Sequence, residues 1–493
     1  MLLQYKKQSL PFNYILCVFV LLMAGGNIGC KKYLEVPLPV NRIAGEAAYT
    51  NDISAAAVLN SIFSNIIATG NVVDGSSSAA YLCGLYGDEL INNATSGTTN
   101  PAFYSNSVQS TNTAALWTSL YKQLHPVNLA IEGIANNDAL VYKNQWLGEA
   151  YFLRGFIHFY LTNLYGNIPI ITTSAYTVNN TLKRSPQADV YAQIISDLKT
   201  AQSLLSADYR NANGATTTDR ARPNKTAATA LLARTYLYTG DWANAEAQVN
   251  LVIGDVNYQL VPLSQVFLAA SKEAIWGMAP GATAYTVKEA TNYLITPGTT
   301  PVQTQGASVA VSLSTIQVNA FEAGDARKTT WVGVSNVPAS GTIPAIAYYF
   351  VNKYKTKPTT PALTAPVEYN MVLRLGEQYL IRAEARAQLG KLVGVNSAQS
   401  DLDTLRKRAG LPGVTATSKT DLLTAVMHER QVELFVEGGH RFFDLRRTGT
   451  LDAVMNIVAP QKGASWATFK QWWPIRAEDI IANPNLEQTP GYQ

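Results

Sequence analysis

The sequence is short of charge, of cysteine and of histidine. Only 15% of its 493 residues are Asp, Glu, Lys or Arg, where an ordinary globular chain has about 25%. Thr, Asn, Ser, Gln and Tyr supply the missing polarity. The 38 basic and 34 acidic residues leave a formal net charge of +4, with no basic block of the kind that neutralises phosphates. Nucleic acid is therefore not an expected partner. Three cysteines, Cys17, Cys30 and Cys83, are too few for a disulfide framework. Among the four histidines, His428 and His440 are far apart in sequence and no HExxH occurs, so no metal site is expected, and no cofactor. Beyond the N-terminus no segment is long and apolar enough to span a membrane. The apolar fraction of 47% is that of a folded protein and excludes wholesale disorder.

The N-terminus carries an address. Lys6 and Lys7 precede an apolar run from Tyr14 to Met23, followed by Ala24, Gly25 and Gly26. A basic start, a short greasy core and a small-residue exit read as an export signal, since the run is about half of the ~20 residues that a spanning helix needs. Gly29 and Cys30 come next, the position for cleavage before Cys30 and acylation of its thiol. Residues 1–29 are thus expected to be a lipoprotein signal peptide, and residues 30–45, irregular and proline-containing, a lipidated tether. Contact with the membrane would be through the lipid alone. Cys17 leaves with the signal, and Cys83 remains as a buried, inert thiol.

The rest of the chain is mainly helical in pattern. Apolar residues recur at three- and four-residue spacing over 47–69, 116–134, 144–165 and 187–205. Residues 223–253 read as a helix–turn–helix: Leu232, Ala233 and Tyr236 on one inner face, Gly240 in the turn, Trp242, Ala245 and Val249 packing back. Small residues where two helices approach, with an aromatic beside them, give the spacing of a tetratricopeptide (TPR) unit. Weaker copies occur at 371–409 and 144–205. Residues 70–112, rich in Ser, Thr, Asn and Gly, read as one long loop. Residues 258–370 interrupt the helical pattern with short candidate strands at 274–278, 309–313 and 348–354. The expected fold is mainly α, an alpha-alpha superhelix of TPR-like helix pairs with a loop-rich insertion containing short β-strands.

A charged cluster stands out against this background. A helix over 420–437 places Glu429, Glu433 and Glu437 four apart on one face. Arg430, Arg441, Arg446 and Arg447 are near in sequence, with Asp444 among them. One reading is a glycosidase acid/base pair. The other is a structural ion-pair network of Glu429, Arg430, Glu433, Glu437, Arg441, Asp444 and Arg446. The abundance of guanidiniums favours the network, because it would hold the carboxylates ionised and engaged.

Eight stretches in order resemble one known family, the SusD/RagB-like outer-membrane nutrient-binding lipoproteins. They are CKKYLEVPLP, WTSLYKQLHPVNLAIEGI, GEAYFLRGFIHFYLTNLYGNIPI, RPNKTAATALLARTYLYTGDWANAEAQ, RLGEQYLIRAEARAQLG, LRKRAGL, HERQVELFVEGGHRFFDLRRTG and NPNLEQTPGY. The resemblance implies one SusD-like domain over 46–493, lipidated at Cys30 and carried on the outer membrane facing the cell exterior. It implies a non-catalytic protein that binds oligosaccharide or polysaccharide and delivers it to a SusC-like TonB-dependent transporter. A peptide-binding lipoprotein of the same fold is the alternative.

Sugar rings present C–H faces edged with hydroxyls, which flat aromatic rings and amide or carboxylate side chains match. Most of the rings lie on helix faces and are expected in the core. Binding candidates come from loop regions 70–112 and 258–370, expected to build the binding face: Tyr81, Tyr86, Asp88, Asn92, Asn93 and Tyr104 in the first, Tyr285, Asn292, Tyr293 and Trp331 in the second.

Overall fold

The computed structural model describes residues 47–492 apart from 69–71, 95–96, 282–284, 302, 305–306 and 360. The expected signal peptide, Cys30 and the tether lie outside the described residues. The chain divides into Met1–Ala48 and Tyr49–Gln493, and the architecture below is that of the second unit.

Helix α1 (Asp52–Ala68) packs on the start of a helical array, and α2 (Ala79–Tyr86) lies within the region that follows it. The array runs α3 (Ser110–Ala135), α4 (Lys143–Tyr165), α5 (Gln187–Leu204), α6 (Lys225–Thr239), α7 (Trp242–Ile253), α8 (Leu375–Gln388), α9 (Ala398–Arg408) and α10 (Lys419–Glu433), each packed against the next. This is the expected superhelix of TPR-like pairs. The α6–α7 pair shows how the sequence builds one. The Asn224 side chain caps α6 by accepting from Ala227 N at 3.0 Å, and Gly240 ends it at φ 71, a conformation that costs a Cβ-free residue nothing. Asp241 then caps α7 through Asn244 N. Buried alanines at 227, 228, 230, 233 and 245 let the two backbones approach. The α8–α10 layer closes over Leu380, Ala383, Ala387, Leu402, Leu405, Leu422 and Val426. Each of its leucines contributes about 2 kcal/mol by leaving water. Helices α11 (His440–Arg447) and α12 (Leu451–Gln461) follow.

The sheets are small. Strand β1 (Leu90–Asn92) pairs antiparallel with β3 (Val311–Leu313), Leu90 opposite Leu313. Strand β2 (Ala274–Met278) pairs with β6 (Asn370–Arg374), and β4 (Val332–Val337) forms a hairpin with β5 (Ile346–Val351). The three strands expected in the insertion are thus present at β2, β3 and β5.

Two expectations need correction. Residues 70–112 are not one long loop: α2, β1 and a short helix at Thr99–Tyr104 lie there. Helix α2 is buried along its whole length, so it has no polar face and shows no period, and its Ser78 cap belongs to the same Ser-rich stretch that reads as loop. The helix expected over 420–437 ends at Glu433. The chain then turns through Val436 (φ 50), Gly438 and Gly439. A β-branched residue at positive φ is strained. The buried Glu89 carboxylate holds it there by accepting Val436 N at 2.7 Å.

Candidate functional site

Three segments without a single charged side chain meet through their strands at the insertion. They run from Leu90 to Tyr121, from Ala290 to Phe321 and from Thr329 to Asn352. Strand β1 of the first pairs with β3 of the second, and β5 of the third packs against β3. Asn93 fixes the first junction: its backbone N donates to Ala310 O at 2.7 Å and its Nδ2 to Ser312 Oγ at 2.9 Å. Asn92 Oδ1 accepts from Ala94 N. Ser335 of β4 fixes another junction, donating to Thr299 O at 2.7 Å and accepting from Thr299 N.

The β4–β5 hairpin emerges from this base. Its first pair, Val332 and Val351, is buried, whereas Val334 and Asn336 are exposed and Tyr348 and Tyr349 half-buried. Tyr349 lies opposite Val334, and Asn336 opposite Ala347. The result is a surface of rings, amides, hydroxyls and short apolar groups with no fixed charge of its own. Such a surface offers hydrogen bonds and flat apolar area, and imposes no penalty for desolvating an unpaired ion.

The ten sequence candidates divide by burial. Tyr81, Tyr86, Asp88, Asn292, Tyr293 and Trp331 are buried, which removes them from the surface. Most have identifiable internal partners. Tyr81 packs on Tyr293 with ring centroids 5.8 Å apart and accepts from Asn100 Nδ2 at 2.7 Å. Tyr86 donates to Lys470 O and sits among Phe103, Phe442, Trp466 and Trp473. Asp88 pairs with Arg441 at 2.8 Å, and Trp331 Nε1 donates to Leu263 O. Asn92, Asn93, Tyr104 and Tyr285 remain half-buried at the surface. The Tyr104 ring faces Lys462 Nζ at 5.0 Å, while Lys462 donates to the Leu85, Tyr86 and Gly87 carbonyls at the end of α2. Burial pushes that ammonium down to about 7. Tyr348, Tyr349 and Asn336 were not among the candidates. All three lie in the third charge-free run.

The Glu face of α10 is buried and fully engaged, but its partners differ from the sequence neighbours. Glu429 accepts from Arg327 at 2.5 Å, and Glu433 from Arg374 at 2.6 Å, Arg327 at 3.0 Å and Arg408. Glu437 accepts from Arg374 at 2.7 Å and Lys353 at 2.5 Å. Burial raises the Glu433 carboxyl, yet the three guanidiniums outweigh it and hold it well below the usual range. Lys353, buried under Phe435, is pushed down to about 8.

Arg430, next to Glu429 and so turned away from that face, reaches Asp444 at 2.7 Å instead. Arg447 bridges Asp444 at 2.8 Å and Glu384 at 2.5 Å. Arg441 leaves the cluster for Asp88. Arg446 pairs with no carboxylate among the described residues: it covers Trp472 at 3.9 Å and donates to Asn163 Oδ1. Burial lowers its ionisation to about 10. This geometry is that of a scaffold joining α8, α10, α11 and the insertion. Among the described residues no group of His, Cys, Asp and Glu is arranged to hold a metal ion.

Comparison with known proteins accounts for both parts of this architecture. Residues 45–237 match a family model described as starch-binding associating with the outer membrane, and residues 322–492 match the model of the SusD family. SusD-like protein P2 of Formosa agariphila is 26% identical over 77% of this chain and 80% of its own. Starch-binding protein SusD of Bacteroides thetaiotaomicron is 32% identical, over 25% of this chain and 21% of its own. Among solved structures, a SusD superfamily protein from Bacteroides vulgatus superposes with a TM-score of 0.73 at 20% identity, covering 90% of this chain and 99% of that one. A laminarin-binding SusD-like protein gives 0.72 at 21% identity, covering 90% and 100%. Two models matched in chain order, over residues 45–237 and 322–492, and a fold shared over nine-tenths of the length, lead to one conclusion: the chain belongs to the SusD/RagB family.

Proposed function

We propose that the protein is a non-catalytic, lipid-anchored receptor of the outer cell surface. It captures a neutral oligosaccharide on the charge-free face and delivers it to a SusC-like TonB-dependent transporter. The observation that carries this reading is the meeting of three uncharged segments through their strands. A neutral polymer of hydroxyls needs no fixed charge to offset its own, and each unpaired ion at such a face would have to be desolvated. Rings that cover C–H faces and amides that satisfy hydroxyls are what remains. Asn92, Asn93 and Tyr104, together with Tyr348 and Tyr349, are the proposed contacts on that face, and Tyr285, outside the three segments, is a further candidate. The family model described as starch-binding, and the laminarin-binding protein of the same fold, support a glycan as the ligand class.

The anchor in this proposal is Cys30, exposed by removal of residues 1–29, with residues 30–45 as the tether. No helix among the described residues is long and apolar enough to cross a membrane, so the lipid would be the attachment. Native electrophoresis through gels containing single polysaccharides tests the ligand class. Retardation by at least one neutral glycan without its cleavage is expected. No retardation by any glycan, with binding to peptides, contradicts it. Co-purification of a β-barrel partner from detergent-solubilised membranes tests the delivery step.

A further inference from the structure

A second concave site lies away from the loop face. A cavity of about 780 Å³ opens between the α6–α7 turn and helices α8, α10 and α11. This is within the ~300–1,000 Å³ range of small-ligand sites. One wall is the half-buried ring of Trp242, the first residue of α7, with Gly240 directly beside it: a Cβ there would lie 3.6 Å from the ring. Gln388, Thr420 and Thr424 contribute amide and hydroxyl groups to the lining, and Leu423 and Met427 short apolar surface.

The charges that line the cavity cancel. Arg447 is held by Glu384 and Asp444, and Arg441 by Asp88. The floor therefore presents no uncompensated ion, which disfavours a charged ligand. Tyr238 contributes ring surface to the lining and packs against Phe159 and Arg447, while its hydroxyl is closed off from solvent.

We infer that this cavity is a second binding site for a neutral sugar, with a ring stacked on Trp242 and sugar hydroxyls bonded to Gln388, Thr420 and Thr424. The inference rests on the ligand class proposed above, and not on the loop face as its location. An aromatic platform beside hydroxyl and amide groups, over a floor of mutually neutralised ions, suits a polyol better than a phosphate or carboxylate.

The test labels the full chain with 5-fluorotryptophan and follows the ¹⁹F resonances as maltoheptaose, laminarihexaose, mannohexaose or xylohexaose is added to millimolar concentration. Trp242→Phe assigns the resonance. The expected result is a saturable shift of the Trp242 signal with at least one sugar. In a Tyr349→Ala background, where titration calorimetry reads this site alone, Trp242→Ala should weaken binding by about tenfold or more, as truncation of an aromatic anchor does. Gln388→Ala removes an amide of the lining and should weaken it several-fold. A Trp242 signal unmoved by all four sugars overturns the inference, as does wild-type affinity at this site in both variants, or a shift produced by peptides alone. The two sites fail separately. If Tyr349→Ala abolishes sugar binding while Trp242 stays silent, the loop face stands and the second site falls. If Trp242 responds and Tyr349→Ala changes nothing, the loop-face reading falls and the cavity stands.

Discussion

Asn93 Nδ2 donates to Ser312 Oγ at 2.9 Å across the β1–β3 pair. The two residues are far apart in sequence, and this bond joins two of the three uncharged segments. Removing it loses one neutral hydrogen bond, worth about 1 kcal/mol. Tyr349, half-buried on the hairpin opposite Val334, has little packing to lose. Tyr349→Ala is therefore expected to leave the melting temperature nearly unchanged while lowering glycan affinity by about tenfold. Differential scanning calorimetry and titration calorimetry on the same variant check both halves.

Tyr86 should behave in the opposite way. Its ring is completely buried among four aromatic neighbours, so Tyr86→Ala should cost about 3–5 kcal/mol. Tyr86→Phe loses only the bond to Lys470 O and should cost about 1 kcal/mol. Glycan affinity of the Phe variant, measured on the folded protein, should equal that of the wild type.

The buried Glu433 has three guanidiniums around it. Glu433→Ala leaves Arg374, Arg327 and Arg408 undercompensated in the interior, and removing one partner of a buried pair costs about 3–5 kcal/mol. A large fall in melting temperature is expected, little relieved by added salt because the site is screened from solvent. Glu429→Gln should likewise destabilise, with no change in any sugar polymer incubated with the protein. Product release from a glycan that this substitution abolishes, without loss of stability, would restore the acid/base reading.

Burial, with Asp88 nearby, pushes the Glu89 carboxyl up to about 8. The folded state then binds more protons than the unfolded chain between the ordinary carboxylate range and that value. The stability linked to Glu89 is complete below the unfolded pKa and is lost as pH rises toward 8. Glu89→Gln keeps an acceptor for Val436 N and removes the titration. Its melting temperature should gain on the wild type between pH 5 and pH 9, by an amount on the order of a few kcal/mol in stability. A constant difference across that range would show that Glu89 titrates normally.

The helical frame was legible because TPR-like pairs carry their own signals: the 3.6-residue period, Gly240 at the turn, and alanines where helices meet. The α2 helix was not, because a fully buried segment has no polar face to give a period. The Glu face of α10 could be read as an ion-pair scaffold from its spacing. Its partners could not, since Arg327, Arg374 and Arg408 arrive from other parts of the chain, and Arg430 faces away from Glu429 on the same helix. Among binding candidates, residue type alone did not separate Tyr81 and Tyr86, which fill the core beneath the loops, from Tyr104 and Tyr285 at the surface. The uncharged runs do not separate them either: Tyr293 and Trp331 lie inside those runs and are buried, whereas Tyr285 lies outside them at the surface.

The central claim is that the uncharged loop face binds a neutral glycan. Its most direct test is titration calorimetry of the wild type and an Asn93→Ala, Tyr349→Ala double variant against the glycan that retards the protein in native gels, at low and high salt. The account predicts binding without hydrolysis, an affinity that hardly changes with salt, and loss of about tenfold or more in the variant. Binding that weakens steeply with salt, or that is untouched by the double variant, would contradict it.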